Sequence, residues 1–304
     1  MTKVDRILVI RLGALGDFVL SLAPFAAIRD HHPDADITLL TTQPFAELAE
    51  AAPWFDHVVV DERPGWWNLA GMARLAFRLR SYDMVYDLQT SGRSNRYFLL
   101  ARRPPWSGNA PGCRFQQTGP ERETMHTIER QRDQLRIAGV TDFPAPDLSW
   151  LTSTPTPELP ATFALLVPGA APSRPAKCWP IEHFATLARQ LAERGLVPVV
   201  VGAASDAGLA LTIRRGCPEA VDLTGRTSLA QLFAVAARAA VAIGNDTGPM
   251  HVAAAVGCRC IVLFSAASDP ALTAPRAPDG GWPVVLRAPV LADLAVARVV
   301  AAVT

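Results

Sequence analysis

Four short stretches carry residue types suited to group-transfer chemistry. The first is Arg11-Leu-Gly13-Ala-Leu-Gly16-Asp17, where glycines let the backbone approach a ligand and Asp17 supplies a carboxylate. A carboxylate there would accept a proton from a hydroxyl as that hydroxyl attacks. The competing reading is an ordinary helix N-cap, a position aspartate fills well. The second stretch is Val167-Pro-Gly-Ala-Ala-Pro-Ser-Arg-Pro-Ala-Lys177-Cys-Trp179-Pro180. Small residues followed by a lysine at a helix entrance make a diphosphate cradle, or else a proline-rich surface loop with a solvated lysine. The third, Gly244-Asn-Asp246-Thr247-Gly248-Pro249-Met-His251, places Thr247 and the Gly248 amide where a helix N-terminus would meet a phosphate. Asp246 is again a possible cap, and His251 one turn on is either a polar site residue or a satisfied structural histidine. The fourth, Asp87-Leu-Gln89-Thr90-Ser91-Gly92-Arg93-Ser94, is followed by Arg96, Arg102 and Arg103. Arg93 and Arg96 would meet an anionic acceptor, whereas Arg102 and Arg103 read as a solvated face.

All four stretches need a scaffold that presents strand-to-helix junctions along one edge. Strand-like runs at 6–12, 36–42, 57–61 and 84–88 alternate with helical runs at 17–30, 44–52, 66–80, 94–102 and 123–138. Pro24 is expected to kink the first of these helices. Thr152-Ser-Thr-Pro-Thr-Pro-Glu-Leu-Pro160 then breaks the pattern as a linker. Alternation resumes with strands at 163–167, 197–201, 221–223, 241–243 and 260–264, and helices at 181–194, 207–215, 229–238 and 248–256. Ser228 and Gln231 have capping-box spacing. The expected fold is α/β: two Rossmann-like domains, 1–151 and 162–304, joined by a linker at 152–161, with parallel sheets facing across a cleft. The last helix is allowed to pack back on the first domain.

Bulk properties narrow the class. A chain of 304 residues, half of them hydrophobic, has enough apolar surface for two cores. Its net charge of +1 argues against a dedicated nucleic-acid binder. The five cysteines are odd in number and form no C-x-x-C pair, so reduced thiols are expected rather than a disulfide framework or zinc site. The apolar run that follows Val4-Asp5 breaks at Arg11, too short for a signal peptide, and no stretch reaches ~20 uninterrupted apolar residues. A cytoplasmic protein is expected, with any membrane contact peripheral. Trp66-Trp67 and the arginines Arg74, Arg78 and Arg80 fit either a crossover helix on the sheet or a basic interfacial helix whose tryptophans touch lipid. A nicotinamide site is poorly supported. The first loop is not G-x-G-x-x-G, and the second strand ends in Thr41-Thr42-Gln43 rather than an acid.

In this order, Ile7 to Asp17, Pro168-Gly-Ala through Lys177-Cys-Trp-Pro180, and Asp246-Thr-Gly-Pro-Met-His251 resemble glycosyltransferase family 9, the heptosyltransferases of lipopolysaccharide synthesis. Tyr86-Asp-Leu-Gln89 and His126 add to the resemblance. It implies a GT-B fold and inverting transfer, without metal or other cofactor, from a nucleotide-activated sugar, ADP-heptose, onto a lipid-linked or anionic glycan. It implies Asp17 as general base and Lys177 as the second catalytic residue, stabilising the departing diphosphate with Thr247 and the Gly248 amide. It also implies a nucleotide site built from Gly16, Lys177, Asp206, Asp246, Thr247, Gly248 and His251, with Asp206 near the ribose. Arg11, Gln89, Arg93 and Arg96 would bind the acceptor. The alternatives are a nucleotide-sugar binder without turnover and, further off, a nicotinamide-dependent dehydrogenase.

Overall fold

The computed structural model describes residues 4–65 and 67–303. The chain divides into two units, Met1–Pro146 and Asp147–Thr304, each built on its own six-stranded parallel sheet.

In the first unit the order is β1 (Arg6–Ile10), α1 (Leu15–Val19), α2 (Leu22–His31), β2 (Asp36–Thr41), α3 (Gln43–Glu50), β3 (His57–Val60), α4 (Leu69–Leu79), β4 (Met84–Asp87), α5 (Gly92–Leu100), β5 (Trp106–Gly108), β6 (Phe115–Gln116) and α6 (Thr127–Ile137). Strands β1 and β2 are nearly all buried after their first residue, as expected where helices cover both faces of a parallel sheet. The sheet order is β3-β2-β1-β4-β5-β6, so the direction of winding reverses between β1 and β4.

The second unit repeats this plan with α7 (Ser149–Thr152), β7 (Phe163–Val167), α8 (Ile181–Ala192), β8 (Val197–Val200), α9 (Ala207–Gly216), β9 (Val221–Asp222), α10 (Leu229–Arg238), β10 (Val241–Asn245), α11 (Gly248–Ala255), β11 (Cys260–Phe264), α12 (Pro270–Thr273), β12 (Val284–Arg287) and α13 (Val296–Ala301). Its order, β12-β11-β10-β7-β8-β9, reverses between β7 and β10. Ligands of open parallel sheets bind beyond the carboxyl ends of the strands at such reversals. Each unit therefore has one favoured place for a site.

Several expectations shift. The single helix 17–30 is two helices broken at Leu20-Ser21, and Pro24 is not the kink. Pro24 stands third in α2, where a backbone N–H would have had no partner inside the helix. Ser21 makes the restart: its carbonyl accepts the Phe25 N–H at 2.9 Å and its hydroxyl donates to the Asp17 carbonyl at 2.8 Å. Helix α4 begins at Leu69, where the Asn68 side chain accepts the Gly71 N–H at 2.9 Å; Trp66 lies outside the described residues. Helix α6 begins at Thr127, its entrance capped by His126 Nδ1, which accepts the Ile128 N–H at 3.2 Å. Strands β5, β6 and β12 go beyond the sequence reading. The first two have 3 and 2 residues, too few to show a period, and the third follows a stretch rich in proline and glycine. The Ser228–Gln231 capping box is formed. The division between units falls before α7, which packs on α10 and ends at Thr152. Helix α13 packs on α8 within the second unit.

Candidate active site

The first loop of unit one follows β1 at the sheet reversal. Gly13 has φ +109°, and a Cβ there would meet the Phe45 ring at 2.7 Å, so both conformation and space call for glycine. Neighbouring loops fasten it from each side. The Leu12 N–H donates to Gln89 Oε1 at 2.8 Å, and the Leu12 carbonyl accepts from Thr42 Oγ1 and Arg63 Nη2, both at 3.1 Å. The Thr41 hydroxyl donates to the Arg11 carbonyl at 2.7 Å.

Arg11 itself is buried. One guanidinium nitrogen, Nη1, donates to the Leu88 carbonyl beyond β4; Nη2 lies 3.2 Å from Asp17 Oδ1. Burial lowers the Arg11 pKa, an effect that Asp17 and Asp87 oppose and Arg130 reinforces. The Asp17 side chain is 46% exposed against 5% for Arg11, so a fixed cation holds a carboxylate that still meets solvent. Asp17 is the third residue of α1, whose N-cap is Ala14; the N-cap reading is therefore set aside.

The loop after β4 acts as the template for this arrangement. Asp87 is fully buried, and its Oδ1 accepts the N–H groups of Gln89 at 3.1 Å and Thr90 at 2.9 Å. Thr90 has φ +43°, a region that costs a β-branched residue about 1 kcal/mol or more. The Asp87 bonds help to offset that strain. Desolvation raises the Asp87 pKa to about 6, with the Thr90 N–H and other hydrogen bonds pulling the other way. Gln134 Nε2, from α6, donates to the Asp87 carbonyl at 3.0 Å.

Two further arginines join the same edge. Arg122 Nη2 donates to Thr90 Oγ1 at 2.9 Å. Arg130 on α6 has its pKa lowered by burial and then by Arg122, with Asp17 acting in the opposite sense. Both escaped the sequence reading, because α6 and its entrance are crowded with charges and nothing in their spacing marks these two. By contrast, Arg93 and Arg96 lie exposed on α5. Arg93 Nη1 reaches Tyr97 Oη at 3.5 Å, and neither arginine enters the hydrogen bonds of the Arg11–Asp17 cluster.

Unit two builds its site at the β7–β10 reversal. Asn245, the last residue of β10, is fully buried. Its Nδ2 donates to the Pro168 carbonyl at 2.7 Å and its Oδ1 accepts the Trp179 N–H at 3.0 Å. One side chain thus pins both ends of the long loop that carries Lys177. Trp179 anchors the loop further, its Nε1 donating to the Leu294 carbonyl at 2.9 Å. Lys177 is buried and ion-paired with Asp246 Oδ2, which also accepts from Ser268 Oγ at 2.7 Å. The solvated-lysine reading is therefore set aside. Thr247 is the N-cap of α11 without a side-chain cap bond, and Gly248 opens the helix. His251 is buried on α11, one turn further on. Asp206 accepts the Ala203 N–H at 2.9 Å; a Cβ on Gly169 would stand 2.7 Å from Asp206 Oδ2, so this carboxylate rests against the Pro168-Gly-Ala loop.

The structure thus brings Arg11, Asp17 and Gln89 together in one unit, and Lys177 and Asp246 together in the other, beyond the ends of strands at the two sheet reversals. Gly16 lies within α1, one residue before Asp17. Ser268 and Asn245 are the additions in unit two. Asn245 had a sequence signal, since it closes the strand just before Asp246; Ser268 had none. Among the described residues, no group of three or more His, Cys, Asp and Glu side chains is arranged to hold a metal ion.

Comparison with known proteins identifies the family and the fold. The model of glycosyltransferase family 9 (heptosyltransferase) matches residues 72–281, more than two thirds of the chain. A lipooligosaccharide heptosyltransferase 2 of Haemophilus ducreyi is 24% identical over 299 residues, covering 89% of this chain and 86% of that one. Among solved structures, the E. coli ADP-heptose LPS heptosyltransferase II superposes with a TM-score of 0.76 at 24% identity, covering 97% of this chain and 96% of the other. The E. coli heptosyltransferase WaaC with ADP-2-deoxy-2-fluoro heptose gives 0.75 at 21% identity, covering 97% of each. These likenesses in fold identify the two-sheet α/β plan as GT-B. With the family match covering β4 to β6 of the first sheet and β7 to β11 of the second, the chain belongs to glycosyltransferase family 9.

Proposed function

We propose that this protein is an inverting, metal-independent heptosyltransferase that moves heptose from an ADP-linked donor onto an anionic, lipid-linked glycan of the lipopolysaccharide core. Asp17 is the general base. The observation that carries this role is its half-exposed carboxylate fixed by a buried guanidinium at the sheet reversal. The acceptor hydroxyl loses its proton to Asp17 as its oxygen bonds to the anomeric carbon. The bond from that carbon to the donor diphosphate breaks, and a nucleoside diphosphate leaves. Displacement from the opposite face inverts the configuration.

Charge growing on the leaving diphosphate needs donors already in position. Lys177 supplies a cation whose place is set by Asp246 and Ser268, and the first turn of α11 supplies backbone N–H groups near Thr247 and Gly248. Asp206 is the ribose contact. Arg130 and Arg122 extend the cationic edge around Asp17 and receive an anionic group of the acceptor; this reading favours them over Arg93 and Arg96. The named activities of the relatives, lipooligosaccharide and LPS heptosyl transfer, support the substrate class. The protein acts in the cytoplasm, with peripheral contact at the inner face of the inner membrane; no described helix is long and apolar enough to cross a bilayer.

The test has three parts. A thermal-shift panel of ADP, UDP, GDP, CMP and NAD should rank ADP first, since a ligand at ~100 times its Kd adds ~2.7 kcal/mol. ADP release should depend on added acceptor and persist in chelator. NMR of the product should show the anomeric configuration opposite to the donor's. Donor binding without acceptor-dependent release would make the protein a binder, and retained configuration would remove the single-displacement scheme.

A further inference from the structure

Helix α4 carries an apolar face that its own unit does not cover. Leu75, Ala76 and Leu79 are buried, as a crossover helix requires. Leu69, Ala73 and Phe77 are spaced four apart, so they line one side of the helix, and all three are exposed. Leu69 is 78% exposed and Phe77 77%, with Trp67 just before the helix at 72%. Large apolar side chains this exposed and aligned mark an interaction surface rather than scattered surface residues.

The charge around this stripe is mainly basic, with exposed Glu62 the acid that shares a pocket wall with Arg74 and Arg78. Arg74 and Arg78 form the adjoining exposed row of the same helix. Arg80 closes it, its Nε donating to the Leu100 carbonyl at 3.2 Å and so joining α4 to α5. From Arg63 to Arg103 the sequence has eight arginines and only two acids, Asp83 and Asp87, in a chain whose net charge is +1. Neither acid offsets the stripe. Asp87 is fully buried at the end of β4, and Asp83 accepts the backbone N–H groups of Asp5 and Arg6 at the start of β1.

We infer that the α4 stripe and its arginines dock this protein on an anionic phospholipid surface. Apolar side chains beside an arginine row suit the boundary between acyl chains and acidic headgroups. A second copy of the chain fits less well, because a two-fold contact through α4 would bring the two arginine rows together. This inference deepens the peripheral membrane contact proposed above. Its test uses neither nucleotide nor glycan, so the transferase reading and the docking surface fail separately.

The full chain should co-sediment with vesicles of mixed phosphatidylglycerol and phosphatidylcholine, more weakly as salt rises, and not with phosphatidylcholine alone. Arg74→Gln with Arg78→Gln should weaken binding about 25-fold, at about fivefold per arginine. Leu69→Ser with Phe77→Ser should weaken it by about tenfold or more. All four positions are exposed, so melting temperatures should match wild type and exclude misfolding. Equal binding to both vesicle types, or unchanged binding by both double variants, overturns the inference. So does a concentration-dependent dimer that Phe77→Ser dissolves in a protein that ignores vesicles, since that assigns the stripe to a second copy.

Discussion

The two units place their reactive groups at the same point of the same topology, yet they treat charge in opposite ways. In unit one a buried arginine holds a carboxylate that stays in contact with solvent. In unit two lysine and aspartate are both buried and paired with each other. The base proposed at Asp17 must meet its substrate and exchange a proton, so it tolerates water. The diphosphate cradle proposed at Lys177 gains by excluding water, because fixed charges act more strongly where the dielectric is low. The cost differs too. Neutralising half-exposed Asp17 leaves buried Arg11 with the Leu88 carbonyl and nearby Asp87, whereas removing one member of the Lys177–Asp246 pair leaves a buried charge without its ion-pair partner.

Asp17→Asn breaks the comparison most sharply. Transfer should fall by about 10²–10⁴-fold while donor affinity stays within a few-fold and the melting temperature drops less than in Lys177→Ala, because Arg11 keeps the Leu88 carbonyl. Loss of transfer, donor affinity and stability together, in one kinetic and melting series, would show that Asp17 is structural. Lys177→Ala should do what Asp17→Asn does not: lose about 3–5 kcal/mol of stability as well as transfer. Lys177→Met combined with Asp246→Leu should recover much of that stability and none of the activity, as read by denaturant melts and ADP release.

Asp87 sharpens the contrast within unit one, because it is a buried carboxylate without a matched lysine. Its folded pKa of about 6 lies above the ordinary 3.8, so between those values the folded state holds its proton more firmly than the unfolded one. Stability should therefore fall as pH rises from about 4 to about 6 and stay lower above that, by about 1–3 kcal/mol. Asp87→Asn keeps the oxygen that accepts from Gln89 and Thr90. It should remove that fall and stabilise the protein at neutral pH, read as melting temperature against pH for the two proteins. An unchanged profile would mean that Arg11 balances the charge of Asp87. The smallest effect is expected at Asp206→Ala, which loses the bond from the Ala203 N–H, about 1 kcal/mol, together with the proposed ribose contact. Equal ADP affinity in wild type and variant would restrict Asp206 to its backbone role.

What was readable in the sequence was local. Runs such as Ile7 to Ile10 and Phe163 to Val167, set between helices, are enough for parallel sheets, and Ser228 with Gln231 announces a helix start within four residues. The glycine-rich loop at Asp17 and the helix entrance at Thr247 are equally local, so the candidate residues could be named from the chain alone. Short strands such as β6, with two residues, exist only because a neighbouring strand pairs with them, and no local pattern foretells that. Nor could spacing tell a solvated lysine from a buried one. Lys177 and Asp246 are 69 residues apart and Arg11 and Leu88 are 77 apart. The sequence by itself determined the alternation of elements and the types of group at their junctions, because propensity, capping and periodicity act over a few residues. Only the tertiary structure decided which of those groups meet and which are buried, because ion pairing and desolvation depend on how the sheet order brings distant strand ends side by side.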